Sequence, residues 1–159
     1  CGVRSAYSEP AQMGVDRWLA MLAAWNRFQC PVCVVDFGTA ATVDVVAADG
    51  RHLGGLIMPG IALSELILQA RTTGIRHAGP EASATLGQST GACVANGSLL
   101  SVVGALRMAQ ELMQRECGAD GVLVATGGEA PRILPFLARS CEHVPNLVFD
   151  GMLLAVRDQ

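Results

Sequence analysis

The sequence predicts an α/β fold, a mixed β-sheet with helices on its faces. Two observations predict it. Three strand-like runs follow one another between residues 31 and 60, joined by tight turns. After them, helical and strand-like segments alternate to the end. The apolar share, 51% of 159 residues, suits one packed domain, or one domain plus a piece of another.

Residues 1–12 read as loop, with Gly2, Ser5, Ser8 and Pro10. From Asp16 to about Phe28 the spacing is helical, with Leu19, Leu22, Ala23 and Trp25 on or near one face. PVCVVDF (31–37) is nearly all apolar, as a buried strand would be. ATVDVVAA (41–48) follows a Gly-Thr turn, and Asp49-Gly50 is a hairpin signal leading to RHLGGLIMPG (51–60). Pro59-Gly60 stops that strand. IALSELILQA (61–70) reads as a helix with apolar residues on several faces, and residues 72–87 as a loop. Ser89 or Thr90 can cap a long helix reaching about Cys117, with the stripe Ala92, Ala95, Leu99, Val102, Leu106, Ala109 and Met113. GVLVAT (121–126) is a short apolar strand, and Gly127-Gly128 turns into a helix near 130–138. VPNLVFDG is expected to close with an extended piece and MLLAV to form a last helical turn. The order β-β-β-α-α-β-α-β-α is that of a ribonuclease-H-like half of an actin-like kinase fold. Such folds come as two halves with nucleotide between them. Residues 1–28 then read as the tail and linking helix of a first half, and 29–159 as the second domain.

Composition narrows the chemistry. The net charge of −3 gives no electrostatic argument for nucleic acid or a membrane surface. All eleven basic residues are arginine. The absence of lysine excludes a Walker-type GxxxxGK[ST] loop, a Schiff-base lysine and the lysine of a protein-kinase third strand. SLLSVVGAL (98–106) is too short to span a membrane. Of the six cysteines, Cys93 and Cys117 sit in apolar helical text and read as small hydrophobes. Cys30-Pro-Val-Cys33 has redox spacing but runs into a strand with no second CxxC, so it reads as structural. His52, His77 and His143 are isolated and read as surface or packing histidines. Reduced cysteines point to the cytoplasm. The opening, CGVRSAYSEP, has no methionine and no secretory pattern, and reads like the later part of something longer.

Four stretches could carry chemistry. Asp36-Phe-Gly38-Thr39-Ala-Ala-Thr42 can hold a cation on its carboxylate and an anion on its turn, or be a plain hairpin turn. Gly54-Gly55 inside a strand marks a bulge or a close approach, by a helix or by a ligand. Thr126-Gly127-Gly128 lies between a buried strand and a helix, where α/β folds bind nucleotides. Asp16-Arg17 opens a helix whose dipole favours an acid.

Taken together, GVDRWLAMLAA, VVDFGTAATVDVV, HLGGLIMPGIAL, ARTT, QST, ATGGEAP and VPNLVFDGM resemble, in this order and over nearly the whole chain, the type III pantothenate kinases, a family that includes the Bvg accessory factors. The resemblance implies ATP-dependent phosphorylation of pantothenate, with Mg2+ and a monovalent cation (K+ or NH4+), in a cytoplasmic homodimer without membrane or direct nucleic-acid binding. It implies Asp16 as general base and Arg17 as the holder of pantothenate's carboxylate, within a GxDR motif on Gly14, Val15, Asp16 and Arg17. It implies Tyr7 in the pantothenate pocket, from GVRSAY where the family has a GVRNGY-like segment. It further implies Asp36 at the monovalent cation, Gly38-Thr39 at phosphate, Gly127-Gly128 on the adenosine side, and Thr72 reaching pantothenate in the neighbouring subunit. The family's opening DxGNT-type phosphate loop has no counterpart, since the first DxGT here is at Asp36. Two other readings compete: a non-catalytic regulator of the same fold, and another actin-like phosphotransferase, against which GxDR beside Tyr7 argues.

Overall fold

The structure, a computed structural model, describes residues 2–75, 79 and 81–157. His77 and Cys1 lie outside the described residues. Helix α1 (Val15–Phe28) leads into strands β1 (Val32–Phe37), β2 (Ala40–Val46) and β3 (His52–Pro59). Helices α2 (Ile61–Arg71) and α3 (Thr90–Cys117) follow, then β4 (Val122–Thr126), α4 (Ala130–Ile133), β5 (Glu142–His143) and α5 (Leu147–Arg157). The strands form one sheet in the order β3-β2-β1-β4-β5. The two hairpin pairs are antiparallel, and β1-β4 and β4-β5 are parallel. This is the mixed sheet of a ribonuclease-H-like half, as the element order predicts.

Strand alternation sorts the core into two layers. Cys33, Val35, Phe37, Val43, Val45, Leu123 and Ala125 face α3, which buries Leu99, Val102, Leu106, Ala109 and Met113 against them. The intervening Val32, Val34, Val46 and Val124 face Ala20, Met21, Ala23 and Ala24 of α1. On the same alternation, Asp36 and Asp44 belong to the α1 side of the sheet. α3 is long and apolar enough to cross a membrane by length and composition, but its stripe packs on the sheet as core. Ser89 caps it as expected, its Oγ accepting the Ala92 N–H at 3.2 Å.

Three expectations need correction. The helix after Gly127-Gly128 is one turn of α-helix, and the chain from Leu134 to Phe136 is a 3-10 turn rather than a continuation towards residue 138; Pro135 removes an amide donor from any longer ladder. VPNLVFDG is not extended: the last strand is Glu142–His143, and α5 starts at Leu147. Gly151 lies inside α5, where a Cβ would overlap the backbone of Leu19. It is the point at which α5 crosses close over α1. Cys93 is exposed, its thiol directed at Gly87 O, because it falls beside the stripe that α3 buries.

Candidate active site

The C-terminal end of β1, the start of α1 and the β2-β3 pair meet at one edge of the α1 layer. Asp16 stands in the first turn of α1 and is exposed. One of its carboxylate oxygens accepts the Arg17 backbone N–H at 2.8 Å, a free amide of the helix start. Asp36, at the end of β1, is half-buried. Burial first, and then the negative charge of Asp16, push its carboxyl above the usual carboxylate range. No ion pair among the described residues reaches either acid. Two neighbouring carboxylates without a counter-charge form a donor set that fits a cation.

Arg17, one residue on, is in the opposite environment. It is 6% exposed and paired side-on with Asp44 of β2. Its Nε donates to Asp44 Oδ2 at 2.8 Å and its Nη2 to Oδ1 at 2.7 Å. Nη1 donates to the hydroxyl of Tyr7 at 2.9 Å, and the guanidinium carbon lies 5.8 Å from the Tyr7 ring centre. The hydrogen bonds that Arg17 donates to Asp44, with the one to Tyr7, outweigh burial and raise the guanidinium pKa further. The fork is therefore not open to a ligand along its Nε/Nη2 side, and its Nη1 end is engaged with Tyr7. His52, buried at the start of β3, closes the cluster, its Nε2 lying 2.9 Å from Asp44 Oδ1. Arg17, Asp44 and His52 can approach because β3 carries Gly55 opposite Asp44. A Cβ at Gly55 would overlap the Asp44 carboxylate and the Val43 carbonyl, and would sit 2.6 Å from Arg17 Nη2. The paired glycines thus mark both a bulge in the β2-β3 register and a close approach, by a buried ion pair.

The glycine turns gather on the other side of Asp36. Gly127 has φ +93°, and a Cβ there would fall on the Asp36 carboxylate and the Phe37 backbone. Glu129 N–H donates to Phe37 O at 3.0 Å, tying the two turns together. Phe37, Gly38, Thr39, Ala62, Leu63, Leu66, Gly128 and Glu129 line a cleft of about 550 Å³. Gly38, Thr39 and Gly128 therefore share one cavity, and Gly127 stands against Asp36 beside it. Thr72 is not part of this constellation: it ends α2, exposed, with its hydroxyl donating back to Leu68 O at 2.8 Å. Cys33 is buried and burial pushes its thiol up to about 12, so the Cys30/Cys33 pair is structural. No cluster of three or more metal-ligating side chains occurs among the described residues.

Two site residues escaped the sequence reading. Asp44 gave a signal, a lone acid in the middle of the apolar run TVDVV, which must find a partner if that run is buried. His52 reads correctly as a packing histidine, but its bond to Asp44 spans two strands and leaves no local trace.

The family model for type III pantothenate kinase matches residues 1–111. The chain is 39% identical to a type III pantothenate kinase of Nitrosococcus oceani, covering 99% of this chain and 61% of that one. It is 40% identical to those of an Azoarcus species (95% and 56% covered) and of Pseudomonas paraeruginosa (97% and 64%). The chain thus spans about three fifths of the length of the curated relatives it matches. A crystal structure from Campylobacter jejuni, described as a conserved putative Baf family transcriptional activator, superposes with a TM-score of 0.70 at 24% identity, over 98% of this chain and 68% of that one, and is similar in fold.

Proposed function

The chain belongs to the type III pantothenate kinase family, and from that membership we propose that it supplies the pantothenate-binding and base-bearing side of an ATP-dependent pantothenate kinase. One observation carries the reading. Two adjacent residues, Asp16 and Arg17, are split by the start of α1 into an exposed acid and a buried cation whose Nη1 end bonds the Tyr7 hydroxyl. An acid that accepts a proton and a cation that holds an anion are what phosphorylation of a hydroxy acid needs.

In this reading pantothenate's carboxylate meets the Nη1 end of Arg17 and the Tyr7 hydroxyl, with the backbone of Gly14 and Val15 alongside. Its primary hydroxyl lies at Asp16. The hydroxyl oxygen attacks the γ-phosphorus of ATP, the bond from that phosphorus to the bridging oxygen breaks, ADP leaves, and the hydroxyl proton passes to Asp16. The product is 4'-phosphopantothenate, the first intermediate of coenzyme A synthesis in the cytoplasm. A weakly basic carboxylate suffices where the transition state is loose and positioning dominates. Gly38 and Thr39 border the phosphates and Gly127-Gly128 the adenosine side. Asp36 would hold K+ or NH4+, and Mg2+ would arrive with ATP; these cations offset the negative charge of the phosphates and of the acid pair. Thr72 would serve the pocket of a second copy in a homodimer.

Asp16→Asn in the full-length protein tests the base. Asp16 is exposed, so the substitution should move stability by no more than about 0.5 kcal/mol. Phosphoryl transfer from ATP to pantothenate should fall roughly 10²- to 10⁴-fold. Undiminished turnover in the variant would sink the assignment, and a parent enzyme inert towards pantothenate would sink the substrate.

A further inference from the structure

Asp44 and His52 are buried, polar and left without a role by the site as proposed. A buried ion pair is a costly way to hold a fold together, since well-packed apolar side chains often do it as well. The geometry of this one is directional. Asp44 takes the Nε/Nη2 side of Arg17 in two short hydrogen bonds, which fixes the plane of the guanidinium and leaves its Nη1 end pointing to Tyr7. His52 touches both arms of that arrangement. Its Nε2 bonds Asp44 Oδ1 at 2.9 Å, its ring stacks on Tyr7 with centres 6.2 Å apart, and its Nδ1 accepts the Ala6 N–H at 3.4 Å. With Nδ1 accepting, Nε2 carries the proton and donates to Asp44. The loop bearing Tyr7 is anchored at the same place: Arg4 N–H donates to Gly50 O, and His52 N–H donates to Arg4 O. Arg17 and Tyr7 come from separate segments, and Asp44 and His52 set the spacing between them.

We propose that Asp44 and His52 are positioning residues for carboxylate recognition: they hold the Nη1 end of Arg17 and the Tyr7 hydroxyl at the separation that favours an acid over the corresponding alcohol. The proposal rests on the reading that Arg17 and Tyr7 receive the carboxylate of pantothenate. A purely structural role for the pair would weaken all ligands alike, or none. A positioning role removes the discrimination and spares the rest of the pocket.

The test is calorimetric titration of the full-length protein with pantothenate and with pantothenol, in which the carboxylate is replaced by a hydroxymethyl group. The parent should bind the acid more tightly. Asp44→Asn and His52→Phe should lose about ten- to a hundredfold in affinity for the acid and almost none for the alcohol. His52→Gln, which keeps a donor for Asp44, should recover most of the loss. Asp44→Asn leaves Arg17 buried without a counter-charge; if it does not fold, His52→Phe and His52→Gln carry the test, because they leave the ion pair intact. Unchanged discrimination in folded variants, or parallel weakening of both ligands, would overturn the proposal. A parent that fails to distinguish the two ligands, or binds neither, removes the reading of Arg17 and Tyr7 itself, and the positioning role with it.

Discussion

Asp36 shows what one side chain's surroundings do to its chemistry. Burial and the nearby Asp16 raise its carboxyl pKa in the fold. A carboxyl raised on folding contributes stability while protonated; that contribution is complete below the ordinary value, about 3.9, and is lost as pH rises through the higher folded value. At neutral pH the ionised group therefore works against the fold. Asp36→Asn should melt at a higher temperature than the parent near neutrality, and the difference should close as the buffer approaches about pH 3. Added K+ should raise the melting temperature of the parent and not of the variant. Equal melting curves at neutral pH, with or without K+, would contradict this account. Arg17→Ala is a poorer probe: it leaves Asp44 buried without its partner, at a cost of about 3–5 kcal/mol, so any lost binding would be mixed with lost structure. Asp16 and Arg17 were legible as a motif because both lie in one helix turn. Asp44 was visible only as an oddity, because its meaning comes from a helix 27 positions away.

At the scale of elements, the hairpin β2-β3 and the start of α1 form one unit through a missing side chain. Gly55→Ala adds a methyl where the Asp44 carboxylate and Arg17 Nη2 already stand. The strand or the ion pair must move, and the variant should lose about 1–3 kcal/mol, the range for overpacking a filled site. Denaturant unfolding measures this, and a loss below about 0.5 kcal/mol, the usual scatter of surface changes, would show that the approach is looser than described. The three strands and α3 were readable in advance because apolar alternation, the Asp-Gly turn and the Ser89 cap are local signals. α5 was not. Pro145 and Gly151 carry the signature of an extended end, while what makes the segment helical is its packing of Leu147 and Gly151 on α1, a tertiary contact that overrides local preference.

Over the whole molecule, the chain places Asp36, Asp44 and Arg17 on the α1 side of the sheet and its glycine turns on the other side of Asp36. Its only DxGT loop is at Asp36. Residues 1–159 alone, given ATP, Mg2+, K+ and pantothenate, should form no phosphopantothenate; product from the pure chain would show that the family's opening phosphate loop is not needed. Exposed apolar side chains on α2 (Leu66, Ile67) and on α5 (Phe149, Leu153, Val156) leave surface for neighbours, which single-sequence patterns cannot assign. The Arg17–Asp44 pair also decides how an anion finds this site. The two charges cancel where they are buried, and the acids Asp16 and Asp36 are near each other with no ion-pair partner among the described residues. An incoming anion would meet no long-range attraction; it would be selected only on contact, so added salt should not slow its arrival and its discrimination should reside in how long it stays.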